Sequence, residues 1–216
     1  VGTRTITAVA ASRSNPEHVL YIGASDPTSS PGPGRIYRLR NSASAPASSV
    51  PEDVTSESLF PRGGYVSSIA VDPRDADQVL VTFSNYGVRS VFYTSNGGQT
   101  WTDVSGNLEA SPDGRGDGPS VRWATILPQP GRNQTTYYVG TSVGLFATTS
   151  LAGTSTVWEQ RAPQSIGNVV VDQVRARPSD GLVVAATHGN GVYSRMVPLP
   201  VEMARPTAHL SGEAVE

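Results

Sequence analysis

The chain of 216 residues carries 16 Lys+Arg against 18 Asp+Glu, a net charge of −2, so no excess of positive charge favours a phosphate backbone and general nucleic-acid binding is excluded. Only 16% of the residues are charged while 22 Gly and 17 Pro punctuate the chain, which disfavours long solvated helices; 37% hydrophobic residues still suffice for a core. There is no Cys, which removes disulfides, thiolate metal sites and thiol nucleophiles together. No apolar run approaches the ~20 residues that span a bilayer. Val1 opens directly into a strand-like segment without a basic and apolar leader, which reads as a removed signal or a piece of something longer.

One unit recurs four times along the chain. Its first copy runs Ile6-Thr-Ala-Val-Ala-Ala-Ser-Arg-Ser-Asn-Pro-Glu-His-Val-Leu-Tyr-Ile-Gly23, and its second runs Val66-Ser-Ser-Ile-Ala-Val-Asp-Pro-Arg-Asp-Ala-Asp-Gln-Val-Leu-Val-Thr-Phe83, with Val19 matching Val79 and Leu20 matching Leu80. The third copy places Ala124, Ile126 and Pro128 where the second has Ile69, Val71 and Pro73, and the fourth places Val174, Ala176 and Pro178 there. Each unit predicts an alternating apolar strand, a turn of Pro, Asn or Asp, a second strand, a Gly-bearing loop and a third strand. The third strands are Arg35–Leu39, Val91–Thr94, Gly144–Ala147 and Gly191–Ser194.

Short strands at this spacing, about four to a repeat of ~40 to 50 residues, predict an all-β protein: a β-propeller of about four blades of four-stranded antiparallel sheet. A β-sandwich is the alternative, but it needs no repeated strand grammar. The expected blades are 5–60, 61–118, 119–166 and 167–197, with 198–216 a C-terminal linker or the first strand of a truncated sandwich module. Four units are fewer than propellers of this repeat type carry, so the chain is expected to be part of a larger one, with the remaining blades as its partner. If the ring instead closes, an N-terminal strand such as Thr3–Ile6 would complete the last blade.

The second unit contains Thr94-Ser-Asn-Gly-Gly-Gln-Thr-Trp101. This resembles the Asp-box of BNR-repeat propellers, with Thr94, Asn96, Gly97, Gly98, Thr100 and Trp101 at the box positions and Asn96 where Asp is usual. A degraded version runs from Thr149 to Trp158. The last unit, with Ala186-Thr-His-Gly-Asn-Gly-Val-Tyr193, is similar to the closing blade of secreted bacterial propellers of the sortilin and xyloglucanase-like kind. Pro198–Met203 and Ala208–Gly212 are similar to modules that lead towards type IX secretion. The resemblance implies an extracellular or cell-surface bacterial protein.

That family includes glycoside hydrolases, whose chemistry needs two carboxyls about 5 to 9.5 Å apart. Asp72 and Asp75 fall at a turn where carboxylates cap backbone N–H groups, and Asp172 has no evident acidic counterpart. Catalytic residues are therefore not assigned, and the expected role is non-catalytic binding or scaffolding of carbohydrate or protein, with part of a propeller glycoside hydrolase as the alternative. Asp113 and Asp117 have the spacing of metal ligands, but a calcium loop would want further oxygen ligands. No cofactor is implied. Loops before first strands and between second and third strands share one face of a propeller. They offer Tyr65, Tyr86, Arg89, Arg122, Trp123, His188 and Asn190 as ligand-binding candidates, although Trp123 falls within a strand pattern that suits core packing.

Overall fold

A computed structural model describes residues 4–14, 18–26, 32–111, 113, 118–129 and 134–198. Four antiparallel sheets follow one another along the chain, and each orders its strands in sequence, as a meander does. The first contains β1 (Thr5–Ala11), β2 (Leu20–Ser25), β3 (Arg35–Leu39) and β4 (Glu52–Asp53). The second contains β5 (Val66–Asp72), β6 (Asp75–Phe83), β7 (Val91–Thr94) and β8 (Thr102–Asp103). The third contains β9 (Val121–Gln129), β10 (Gln134–Thr141), β11 (Gly144–Thr148) and β12 (Glu159–Arg161). The fourth has three strands among the described residues, β13 (Val171–Arg177), β14 (Leu182–Thr187) and β15 (Val192–Met196).

The sheets stack face to face as blades. Val19, Tyr21, Ile36 and Val54 of blade 1 meet Val66, Val79, Val81 and Phe92 of blade 2 in one core. Leu80, Val91 and Val104 meet Val121, Ile126, Val139 and Trp158 in the next, and Leu127, Tyr138 and Leu145 meet Val174, Val183 and Ala185 in the third. This layering explains the two hydrophobic patterns of the sequence. The run Val79-Leu80-Val81 is buried throughout because blade 2 is covered on both sides, whereas burial alternates along β14, which is covered on one.

The first strands pack in succession, β1 on β5, β5 on β9 and β9 on β13, while β13 does not return onto β1 in the same way. Four blades with three cores therefore form an open arc, a partial propeller. Val9 and Ile6 stay exposed on the free face of blade 1, and Val192 and Met196 on that of blade 4. Thr5 and Ile6 pair with Ser25 and Ala24 inside blade 1, so they do not complete blade 4. Thr3 lies outside the described residues. Between blades 3 and 4, a groove of about 500 Å³ runs between Tyr138, Leu145 and Ile166 on one side and Val183, Tyr193 and Val197 on the other.

The turn Thr94–Trp101 is held from within. The Thr94 hydroxyl accepts from the N–H groups of Asn96 and Gly98, and the Asn96 side-chain oxygen accepts from the Thr100 N–H at 3.0 Å. Gly97 and Gly98 have φ of 68° and 91°, which only glycine adopts without strain. The turn delivers Trp101 into the first core, against Phe60.

Candidate functional site

Each first strand begins with the same irregularity. The ladders of β1, β5, β9 and β13 with their neighbours each shift by one residue, leaving Thr7, Ser67, Arg122 and Asp172 as the unpaired bulge residue. A bulge re-aims the side chain it carries and concentrates beside binding surfaces. In blades 2, 3 and 4 the loop after the second strand is tied to the residue before the bulged strand. Ser84 N–H donates to Tyr65 O, Ser142 N–H to Ser120 O and His188 N–H to Val170 O, at 2.9 to 3.1 Å. Bulges and loops thus share one face of the arc.

On that face Arg122 Nη1 donates to Asp172 Oδ1 at 3.2 Å, and His188 Nδ1 lies 3.4 Å from Asp172 Oδ2. Asp172 therefore joins two of the expected residues, Arg122 from β9 and His188 from the β14–β15 loop. The signal for it was present in the sequence. Aligning Val121-Arg122 with Val171-Asp172 puts opposite charges at one register position of adjacent first strands. Beside this pair, Tyr86, Pro119, Arg122, Val143 and Val170 line a shallow depression of about 530 Å³. Tyr86 is 65% exposed.

The remaining candidates are dispersed. Tyr65 is half-exposed at the start of β5, with its N–H donating to Asn85. Arg89 turns outward to Asp103 at 3.3 Å. Asn190 donates to the Tyr193 hydroxyl at 2.9 Å. Trp123 is half-buried further along β9, packs against the third core and carries the Arg175 guanidinium over its ring at 4.8 Å.

The acids elsewhere are engaged structurally. Asp72 is buried and accepts from the backbone N–H and the guanidinium of Arg74, while Asp75 accepts from the Asp77 N–H and the Gln78 amide. Glu109 accepts from the Ser90 hydroxyl, and burial pushes its carboxyl above the usual carboxylate range. Among the described residues no group of three His, Asp or Glu side chains is placed to hold a metal. Of the acidic pair in the loop after the second blade, Asp117 lies outside the described residues. Among the described residues no helix is long and apolar enough to cross a membrane.

No family profile and no curated protein sequence matches the chain. Among solved structures it is similar to the Niastella koreensis GH74 enzyme, with a TM-score of 0.64 and 18% identity. That match covers 88% of this chain and 28% of the enzyme's. The fold is a β-propeller, and the chain spans under a third of the length of that neighbour.

Proposed function

We propose that this chain is a non-catalytic binding segment of a bacterial propeller acting outside the cell, and that its bulge face recognises carbohydrate or a protein surface. One observation carries the reading. The carboxylate on that face, Asp172, is held between Arg122 and His188 with no second described carboxylate among its partners, whereas Tyr86 projects beside Arg122 into an open depression. An aromatic ring and planar polar groups suit sugar faces and protein contacts alike.

In the same reading the Thr94–Trp101 turn is a BNR-type Asp-box, and the residues after 198 begin a module of the type IX secretion kind. The exposed apolar faces of blades 1 and 4 are where further blades of a longer propeller pack; their exposed Val9 and Val192 support this.

A second reading is favoured by the likeness to a GH74 enzyme: the chain is part of a propeller glycoside hydrolase, xyloglucanase or sialidase-like, whose catalytic carboxylates lie elsewhere. Calorimetric titration with xyloglucan oligosaccharides, run beside an assay for released reducing ends, separates the two. Binding without hydrolysis, weakened at least tenfold by Tyr86→Ala or Arg122→Ala, supports the first reading. Hydrolysis by the chain itself overturns it.

A further inference from the structure

The first strands enclose a second space, on the axis of the arc. A cavity of about 600 Å³ is lined by all four of them and by the turns that follow them, including Arg13, Pro73 and Pro178. Its lining runs from the bulge residues Thr7 and Ser67 to those turns at the opposite ends of the strands, and does not include Tyr86, Arg122 or His188. Its chemistry also differs from that of the bulge face. The lining includes Arg13 and Arg175 together with His18, and none of its described residues is acidic, although the chain as a whole carries a net charge of −2. A concave wall carrying one sign of charge concentrates the opposite sign in solution.

Arg175 is positioned for an anion. Its guanidinium lies over the Trp123 ring, 4.8 Å from the centroid, which fixes the plane of the fork. With the Gln173 amide oxygen turned towards it, Nε and Nη2 are engaged at 3.1 Å, and Nη1 takes no part in that contact. Thr125, from β9, adds a hydroxyl to the same wall.

We propose that this axial cavity is a binding site for a small oxyanion, a carboxylate- or phosphate-bearing molecule held by Arg175 against Trp123, with Arg13 adding positive charge to the same wall. The site stands independently of the function proposed for the bulge face. It contains its own reporter. Of the three tryptophans, Trp101 and Trp158 are buried in blade interfaces, and Trp123 alone lines the cavity.

The test titrates the whole chain at low salt with D-glucuronate, with inorganic phosphate and with D-glucose, following tryptophan emission and, separately, calorimetry. A saturable response to glucuronate, to phosphate or to both is expected, weakening as NaCl is added; which of the two saturates distinguishes a carboxylate from a phosphate ligand. Arg175→Gln should weaken binding at least tenfold, and Arg13→Gln by a smaller factor that vanishes as NaCl is added, while circular dichroism and the thermal midpoint stay unchanged, since both side chains are exposed. Trp123→Phe should remove the fluorescence change and leave calorimetric binding detectable. An equal response to glucose, no saturation by either anion up to tens of millimolar, or wild-type affinity in Arg175→Gln would each overturn the proposal.

Discussion

Trp101 Nε1 donates to the carbonyl oxygen of Val54, in the preceding blade, at 2.7 Å, and Trp158 Nε1 does the same to Val104 at 2.9 Å. The two acceptors are equivalent. Val54 and Val104 each follow the last strand of a blade, and their N–H groups donate to Ile36 and Val91 of the third strand. Each indole thus fills the space between two sheets and bonds the outer edge of one blade to the next. A buried N–H that finds a carbonyl makes the ring orientation specific as well as favourable. Trp101→Ala removes both the packing and the bond and should destabilise the fold by ~3 to 5 kcal/mol in urea unfolding. A loss below ~1 kcal/mol would show that the indole does not hold the blades together.

The turn that presents Trp101 has little room for change. A Cβ on Gly98, whose φ is 91°, would come within 2.8 Å of Val54. The Gly97 carbonyl meanwhile accepts from the buried Arg38 of the preceding blade at 2.6 Å. Gly98→Ala combines backbone strain with a steric clash and should cost about 2 kcal/mol or more. Gly87, with φ of 67° and open space around it, provides the control: Gly87→Ala should cost about 1 kcal/mol from backbone conformation alone. Equal losses in the two variants would argue against the close approach of the turn to Val54.

The repeat was legible in the sequence because blade packing leaves periodic marks. Proline and Asx turns, apolar alternation and two tryptophans each correspond to a place in the stack. The open arc was less legible. The strand pattern of β1 resembles that of β5, and only the tertiary arrangement shows that Ile6 and Val9 face outward while Ile69 and Val66 are buried. The bulge face was half legible. Arg122 and His188 stand out as types of residue, but Asp172 reads in sequence as a lone acid and not as their partner, because an ion pair between adjacent first strands has no signature within one repeat. Arg175 left no signal until Trp123 was placed beneath it.

The Arg122–Asp172 pair should matter to binding more than to stability. Both side chains are about two-fifths exposed, and ion pairs in that setting contribute ~0 to 1 kcal/mol. Asp172→Asn is therefore expected to leave the unfolding midpoint within about 1 kcal/mol of wild type while altering affinity for any ligand of the bulge face. A large loss of stability without loss of affinity would assign the pair to the scaffold.

Glu109 gives the fold a pH dependence of definite sign. Burial raises its folded carboxyl above the usual range, and the Ser90 hydroxyl offsets that only in part. The folded state therefore holds this proton more tightly than the unfolded chain, whose carboxyl titrates near ~4.3. Stability contributed by the group is present below that value and declines as pH rises through the folded one. Glu109→Gln keeps the shape and removes the charge, so thermal midpoints measured from pH 4 to 8 should fall less steeply in the variant and should match or exceed wild type at pH 7. A steeper decline in the variant would mean that the ionised carboxylate is the favoured form in the fold.

The free faces of the arc should govern how the chain behaves in solution. Val9 is 60% and Val192 69% exposed, on sheet faces that in the interior of the stack are covered by another blade. Apolar sheet faces of this kind drive association. Light scattering should show concentration-dependent self-association of the wild-type chain, with a radius of gyration above the ~17 Å of a compact globule of this length. Placing a charge on each face, in Val9→Glu combined with Val192→Glu, should shift the population towards monomer without loss of secondary structure, because neither side chain contributes to the three blade cores. An unchanged particle size in the double variant would locate the association elsewhere, and the terminal faces would then be solvent surfaces in their own right.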